Sequence, residues 1–185
     1  DSHDALARAM APGWRNGLFI SAVGPDADDP ARQIATLGAA GTTLPSRDYY
    51  LNDGEPYAGY RKALRAYMAD SFRRAGFADA DARADRTFAL ELALAKLQWS
   101  PQQMRDVVRM NHVMSPAELK AYAPGFPWDA WLDASGYAGQ TRLKVVADTS
   151  ARDTAALFAA TPVADVQSLL LFHTLDFWAP YLSEP

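Results

Sequence analysis

The stretch Phe88-Ala89-Leu90-Glu91-Leu92-Ala93-Leu94-Ala95-Lys96-Leu97-Gln98-Trp99-Ser100-Pro101 decides how this chain folds. At roughly 100° per residue, Phe88, Leu92, Ala95 and Trp99 fall on one side of a helix. Leu90, Leu94 and Leu97 fall on nearly the opposite side. A helix that is apolar on two faces must be covered on both, so it is expected to be the central layer of the fold. Asp79, Asp81 and Asp85 lie around its first turns, where carboxylates complement the amide dipole. Ser100-Pro101 is the expected stop, because proline has no N–H to donate.

Outward from this helix the pattern stays mainly helical. Tyr60, Leu64, Tyr67 and Phe72 recur at helical spacing after Pro56, with Gly76 as a C-cap. Ser2 caps a short helix that Pro12-Gly13 should end. Leu18 to Val23 and Arg32 to Leu37 form two apolar runs around an acidic, proline-containing stretch, the signature of a β-hairpin. On the other side, Ser115-Pro116-Ala117-Glu118 has the form of a capping box. Trp128 to Ala134 reads as a short helix, Leu143 to Ala147 as a brief strand and Ser150 to Ala160 as a helix. Thr161-Pro162 opens a last helix that runs to Trp178 and ends at Pro180. The fold class is mainly α, a multi-helix domain with a small β-hairpin near the N-terminus.

Composition narrows the function. The chain has 185 residues, 49% hydrophobic and 22% charged, which is enough apolar content for one packed domain. With 18 basic against 22 acidic residues and no basic cluster, it lacks the positive face that nucleic acid requires. No uncharged apolar run reaches the eighteen residues of a spanning helix, so no membrane contact is expected from this segment. Cysteine is absent, which removes disulfides, thiolate-bound zinc and thiol nucleophiles together. The only histidines are His3, His112 and His173, so a His-Glu-x-x-His helix cannot be written.

The segment Leu44-Pro45-Ser46-Arg47-Asp48-Tyr49-Tyr50-Leu51 is far more particular. It resembles the Leu-Pro-x-Arg-Asp-Tyr-Tyr signature in the non-catalytic half of neprilysin-type zinc metallopeptidases, the family of neprilysin, endothelin-converting enzyme and bacterial oligopeptidase O. Further matches follow in order: Ala89-Leu90-Glu91, then Arg105-Asp106 with Asn111 and Met114, then Phe126-Pro127-Trp128, then Thr161-Pro162. The resemblance runs from about Leu18 to Leu182.

It implies a helical lid domain, a fragment of a larger metallopeptidase whose zinc-binding catalytic domain lies outside this chain. The implied partners are that catalytic domain of the same polypeptide and, in the parent, short peptide substrates. Zinc is implied in the parent and no cofactor in this chain. An extracytoplasmic location, periplasmic, secreted or envelope-anchored, is implied as well. The competing reading is a free-standing helical module that binds a peptide or protein. A lid should expose an apolar patch where its other half docks; a free module should not.

Individual residues carry expectations of their own. Arg47 and Asp48 could line a peptide-binding cavity, but are expected rather to form a structural ion pair above Tyr49 and Tyr50. A desolvated Glu91 needs a cation, and Arg105 or Arg47 is expected to supply it. Acid catalysis by Glu91 is the rival, disfavoured because no second carboxylate or nucleophile is placed beside it. His173 is expected to be a hydrogen-bonded packing residue, and His112 a loop residue bonded to backbone carbonyls. Asp1, Ser2 and His3 could bind Cu(II) or Ni(II) if the amine of Asp1 is free. Some of Trp128, Trp131 and Tyr137 are expected to stay partly exposed.

Overall fold

The computed structural model describes residues 2–11 and 17–181. Helix α1 spans His3–Met10; Ser2 Oγ accepts from the Ala5 amide and so satisfies one of the free donors of the first turn. Its expected stop at Pro12-Gly13 lies outside the described residues. Strands β1 (Phe19–Pro25) and β2 (Gln33–Ala39) form the expected antiparallel hairpin, in the register Phe19↔Ala39 to Pro25↔Gln33. Then come α2 (Arg47–Leu51), α3 (Tyr57–Arg74) and α4 (Ala80–Leu97). After a short 3₁₀ turn follow β3 (His112–Met114), α5 (Pro116–Tyr122), α6 (Trp128–Ala134), β4 (Leu143–Val145), α7 (Asp148–Ala160) and α8 (Val163–Trp178).

The hairpin is part of something larger than expected. β4 pairs in parallel with β2 and antiparallel with β3, giving a sheet in the order β1-β2-β4-β3. β4 answers the brief strand expected from Leu143, whereas β3 falls in a short stretch between Asn111 and Ser115 with no apolar run to mark it and was not foreseen.

The two faces of α4 are borne out. Leu90 and Leu94 join α1, the sheet, α5, α6 and α7 in one apolar cluster, around Phe19, Phe126, Trp128, Trp131 and Phe158. Phe88 and Ala95 join Tyr50, Leu64, Met68 and Phe72 in a second cluster with α2 and α3. Helix α8 also serves both, through Leu169 in the first and Phe172 in the second. Each fully buried phenylalanine contributes about 1.5–3 kcal/mol relative to exposure, so both clusters stabilise the fold substantially.

Boundaries differ slightly. α4 ends at Leu97, before the predicted stop, and Gln98 is already extended. α7 begins at Asp148 rather than Ser150. Ser115 and Glu118 complete the expected capping box: Ser115 Oγ accepts from the Glu118 amide while the Glu118 carboxylate accepts from the Ser115 amide. Gly125 has φ +98°, and a Cβ there would come within 2.9 Å of Ala159 Cβ. Only glycine fits this turn between α5 and α6.

Trp128 and Trp131 are both buried, and only Tyr137 is partly exposed. Trp128 meets Phe19 and Phe126 in tilted ring contacts and Trp131 meets Phe19 edge-on, which makes both rings part of the first cluster.

Candidate functional site

The segment Thr42 to Tyr50 leaves β2, crosses the middle of α4 and returns as α2. What fixes it there is Glu91, which points off α4 and is 0% exposed. Its Oε1 accepts from the Thr43 amide at 3.2 Å, from Thr43 Oγ1 at 2.5 Å and pairs with His173 Nε2 at 2.7 Å. Its Oε2 accepts from the Tyr50 hydroxyl, whose oxygen in turn accepts from the Leu44 amide at 3.0 Å. One carboxylate therefore ties together α4, α8, α2 and the connecting segment.

The electrostatics follow from burial and pairing. Burial pushes the Glu91 carboxyl up, but the hydrogen bond and charge of His173, with the bonds from Thr43 and Tyr50, outweigh it and hold it below the usual carboxylate range. Burial, then the charge and hydrogen bond of Glu91, push the Tyr50 phenol far above its ordinary value, so it stays a donor. All the bonds of Glu91 go to protein groups, which leaves no approach for a substrate.

This corrects the expected partner. Neither guanidinium reaches Glu91: Arg47 donates to the Gln98 carbonyl at 2.7 Å, and Arg105 is exposed on the 3₁₀ turn. The partner is His173, the hydrogen-bonded packing residue expected, 82 residues away in the sequence. Each residue sits on an apolar helix face, and pairing a buried carboxylate with a buried imidazole was the available signal. The Arg47–Asp48 ion pair is absent as well. Arg47 serves the open carbonyl at the end of α4, and Asp48 lies in the first turn of α2.

The other signature residues are spread out. Leu44 packs on the second cluster, Pro45 lines a surface depression, and Tyr49 meets Tyr57 edge-on at 5.6 Å. Asp106 accepts from the Arg109 amide on an exposed turn. Asn111 Oδ1 is buried without a hydrogen-bond partner. Trp128 is buried and donates to the Ala123 carbonyl at 2.7 Å.

His112 is also corrected. It lies in β3, not a loop, and its Nδ1 meets Asp148 Oδ2 at 2.7 Å, where Tyr122 also donates at 3.0 Å. Burial raises the Asp148 carboxyl, but these two bonds and that of the Thr149 amide outweigh it and hold it low. The site was missed because β3 was. His3 lies against Phe158 with Nε2 3.1 Å from the Thr161 carbonyl, and the Asp1 amine of the possible copper site lies outside the described residues.

Two adjoining depressions of about 280 and 260 Å³ share Ile20, Ala40, Gly41 and Thr42. The first is walled by Pro45, Trp99, Met104 and Val146, the second by His173 and Asp176. Among the described residues no group of three or more His, Asp or Glu could hold a metal ion, and no helix is long and apolar enough to cross a membrane.

Comparison with known proteins supports the family resemblance. The family model described as peptidase family M13 matches residues 1–185. Endothelin-converting enzyme 1 of Cavia porcellus is 28% identical over 141 residues, 74% of this chain and 19% of that protein. The crystal structure of Mycobacterium tuberculosis zinc metalloprotease Zmp1 in complex with an inhibitor is 26% identical, with TM-score 0.91 over 99% of this chain and 29% of that one. Zmp1 in its open state gives the same score. PepO from Lactobacillus rhamnosis HN001, 17% identical with TM-score 0.76, shares the fold. The chain thus spans about a fifth of the curated relative and under a third of the solved ones. Matched from end to end by the family model, in the region that neprilysin-type members carry as their N-terminal domain, the chain belongs to peptidase family M13.

Proposed function

We propose that this chain is the non-catalytic lid of a zinc-dependent oligopeptidase, one helical domain of a longer polypeptide. It closes over a separate catalytic domain, encloses the chamber and admits short peptides. The carrying observation is the match of the whole chain to under a third of a zinc metalloprotease that has an open state. By likeness to that zinc metalloprotease, zinc is assigned to the other part of the polypeptide; the described histidines His173 and His112 are paired with Glu91 and Asp148. The signature residues build the lid rather than cut: Tyr50 and Glu91 lock the segment from Thr42 onward, and Trp128 fills the core.

The surface supports a docked state. Val107 and Val108 stand 77% and 81% exposed on the turn after Met104, next to Arg109, which stacks over Trp99. Two adjacent valines in water are expected where another domain covers them, and a free-standing module would place polar residues there. A lid contributes enclosure and positioning, not bond chemistry. By likeness to the family, the parent works outside the cytoplasm.

The test is peptidase activity of the full-length parent against a short peptide and against a folded protein of the same sequence content. Cleavage of the peptide alone, lost on chelation and restored by zinc, is expected. The 185-residue chain should be inert and bind no stoichiometric zinc. Peptidase activity in the isolated chain, or a parent that cuts folded proteins equally well, overturns the reading.

A further inference from the structure

A depression of about 530 Å³ opens where α2, the turn after it, α3 and α4 meet. That volume falls within the range of about 300–1,000 Å³ usual for small-molecule sites. Its apolar part is Tyr50, Phe88 and Leu92, the first two buried and the third half-buried. Its charged part is Asp53, Arg61, Lys62 and Arg65.

The four charges are not equivalent. Arg65 is committed: it pairs with Asp85 at 2.5 Å and lies over the Phe88 ring at 5.0 Å. Arg61 has no carboxylate. Its Nη1 donates to the Tyr49 carbonyl at 3.0 Å and to the Asn52 carbonyl at 2.7 Å, which fixes the guanidinium. Its other nitrogens meet no partner among the described residues. Lys62 and Asp53 have none either, and they stand too far apart to pair with each other across the depression. A ligand for this set brings an anion to Arg61 and Lys62, a cation to Asp53 and apolar surface to Phe88 and Leu92. A simple anion would face the free carboxylate of Asp53, and a metal ion would meet one carboxylate among three cations. A neutral apolar molecule would strip water from these charges without replacing it.

We propose that the depression binds a zwitterion with an apolar side chain, a free amino acid or a short peptide with both ends unblocked. Its carboxylate sits between Arg61 and Lys62, its ammonium against Asp53 and its side chain on Phe88 and Leu92. Peptide hydrolysis releases such molecules, so under the lid reading the depression senses product. The binding itself does not rest on that reading.

The test is calorimetric titration of the 185-residue chain and of the full-length parent with leucine and with leucyl-leucine. Saturable binding is expected in both proteins, and the tighter ligand distinguishes an amino acid from a peptide as the occupant. Leucyl-leucine amide lacks the carboxylate and acetyl-leucyl-leucine lacks the ammonium; each should bind at least about fivefold more weakly. Lys62→Ala and Asp53→Asn should each weaken leucyl-leucine by a similar factor. Their melting temperatures should not change, because neither side chain has a protein partner to lose. Lys120→Ala, outside the depression, should leave the affinity as it was. No saturable binding, equal binding of either blocked peptide, or an affinity indifferent to Lys62 and Asp53 overturns the proposal. So does binding by the 185-residue chain that the parent lacks, which would show the depression filled by the rest of the polypeptide. A parent that cleaves peptides but fails these titrations sinks the zwitterion site alone; an inert parent that passes them sinks the lid reading alone.

Discussion

Replacing Glu91 by glutamine keeps the shape of the side chain and removes its charge. In the native chain every partner of the carboxylate donates: Thr43 through N and Oγ1, Tyr50 through its hydroxyl, His173 through Nε2. An amide can accept at one oxygen only. Its nitrogen then faces the Tyr50 hydroxyl, which already accepts from the Leu44 amide. At least one buried donor is orphaned, and the imidazole of His173 loses its counter-charge. Breaking a buried pair costs about 3–5 kcal/mol when nothing replaces the lost partner. Because glutamine recovers part of the bonding, Glu91→Gln should cost about 2–3 kcal/mol. For a domain of this size that is a fall of roughly 5–10 °C in melting temperature, measurable by calorimetry or urea titration.

The pH dependence supplies a sharper check. The Glu91 carboxyl is held below its ordinary range in the folded chain, so protons bind the unfolded chain more tightly. Its contribution is complete above the range in which an unfolded carboxylate titrates, and it is lost as pH falls through the depressed folded value. On the carboxylate's account, the stability gap between native chain and Glu91→Gln should therefore shrink below about pH 4. A gap that persists unchanged at low pH, or a neutral-pH cost under about 0.5 kcal/mol, would show that the carboxylate is not the anchor described.

Other perturbations test the packing. Trp128 donates to the Ala123 carbonyl whereas Trp131 Nε1 is buried without a partner, so Trp128→Phe should destabilise by about 1–2 kcal/mol more than Trp131→Phe in urea unfolding. Gly125→Ala meets both the positive φ and the Ala159 side chain, and should cost about 2–4 kcal/mol; a neutral result would refute the tight turn. Ser115→Ala removes one half of the capping box and should cost about 1 kcal/mol, with a smaller loss for Ser115→Asn.

Local rules were legible in the sequence and long-range ones were not. The alternating faces of α4, the Ser115 box and the first hairpin each follow from residues within a few turns of one another, where spacing carries the information. β3 has three residues, and its pairing partner β4 lies about thirty positions away, so no local period marks it. The same limit explains Glu91. That it would be buried and need a partner followed from its flanking leucines; which cation supplied it depended on how α8 crosses α4. The guanidiniums were nearer in sequence, but Arg47 had an open helix-end carbonyl to satisfy and Arg105 stayed in water. The signature stretch was thus recognisable as a unit before its mechanical reason, a single carboxylate bolting it to two helices, could be seen.

The sharing of α4 and α8 between both apolar clusters has a mechanical consequence. Among the described residues, neither cluster can loosen without stripping one side of a helix that the other still grips. A load placed on either cluster is therefore shared with the other through these two helices, as a brace shares it between two panels.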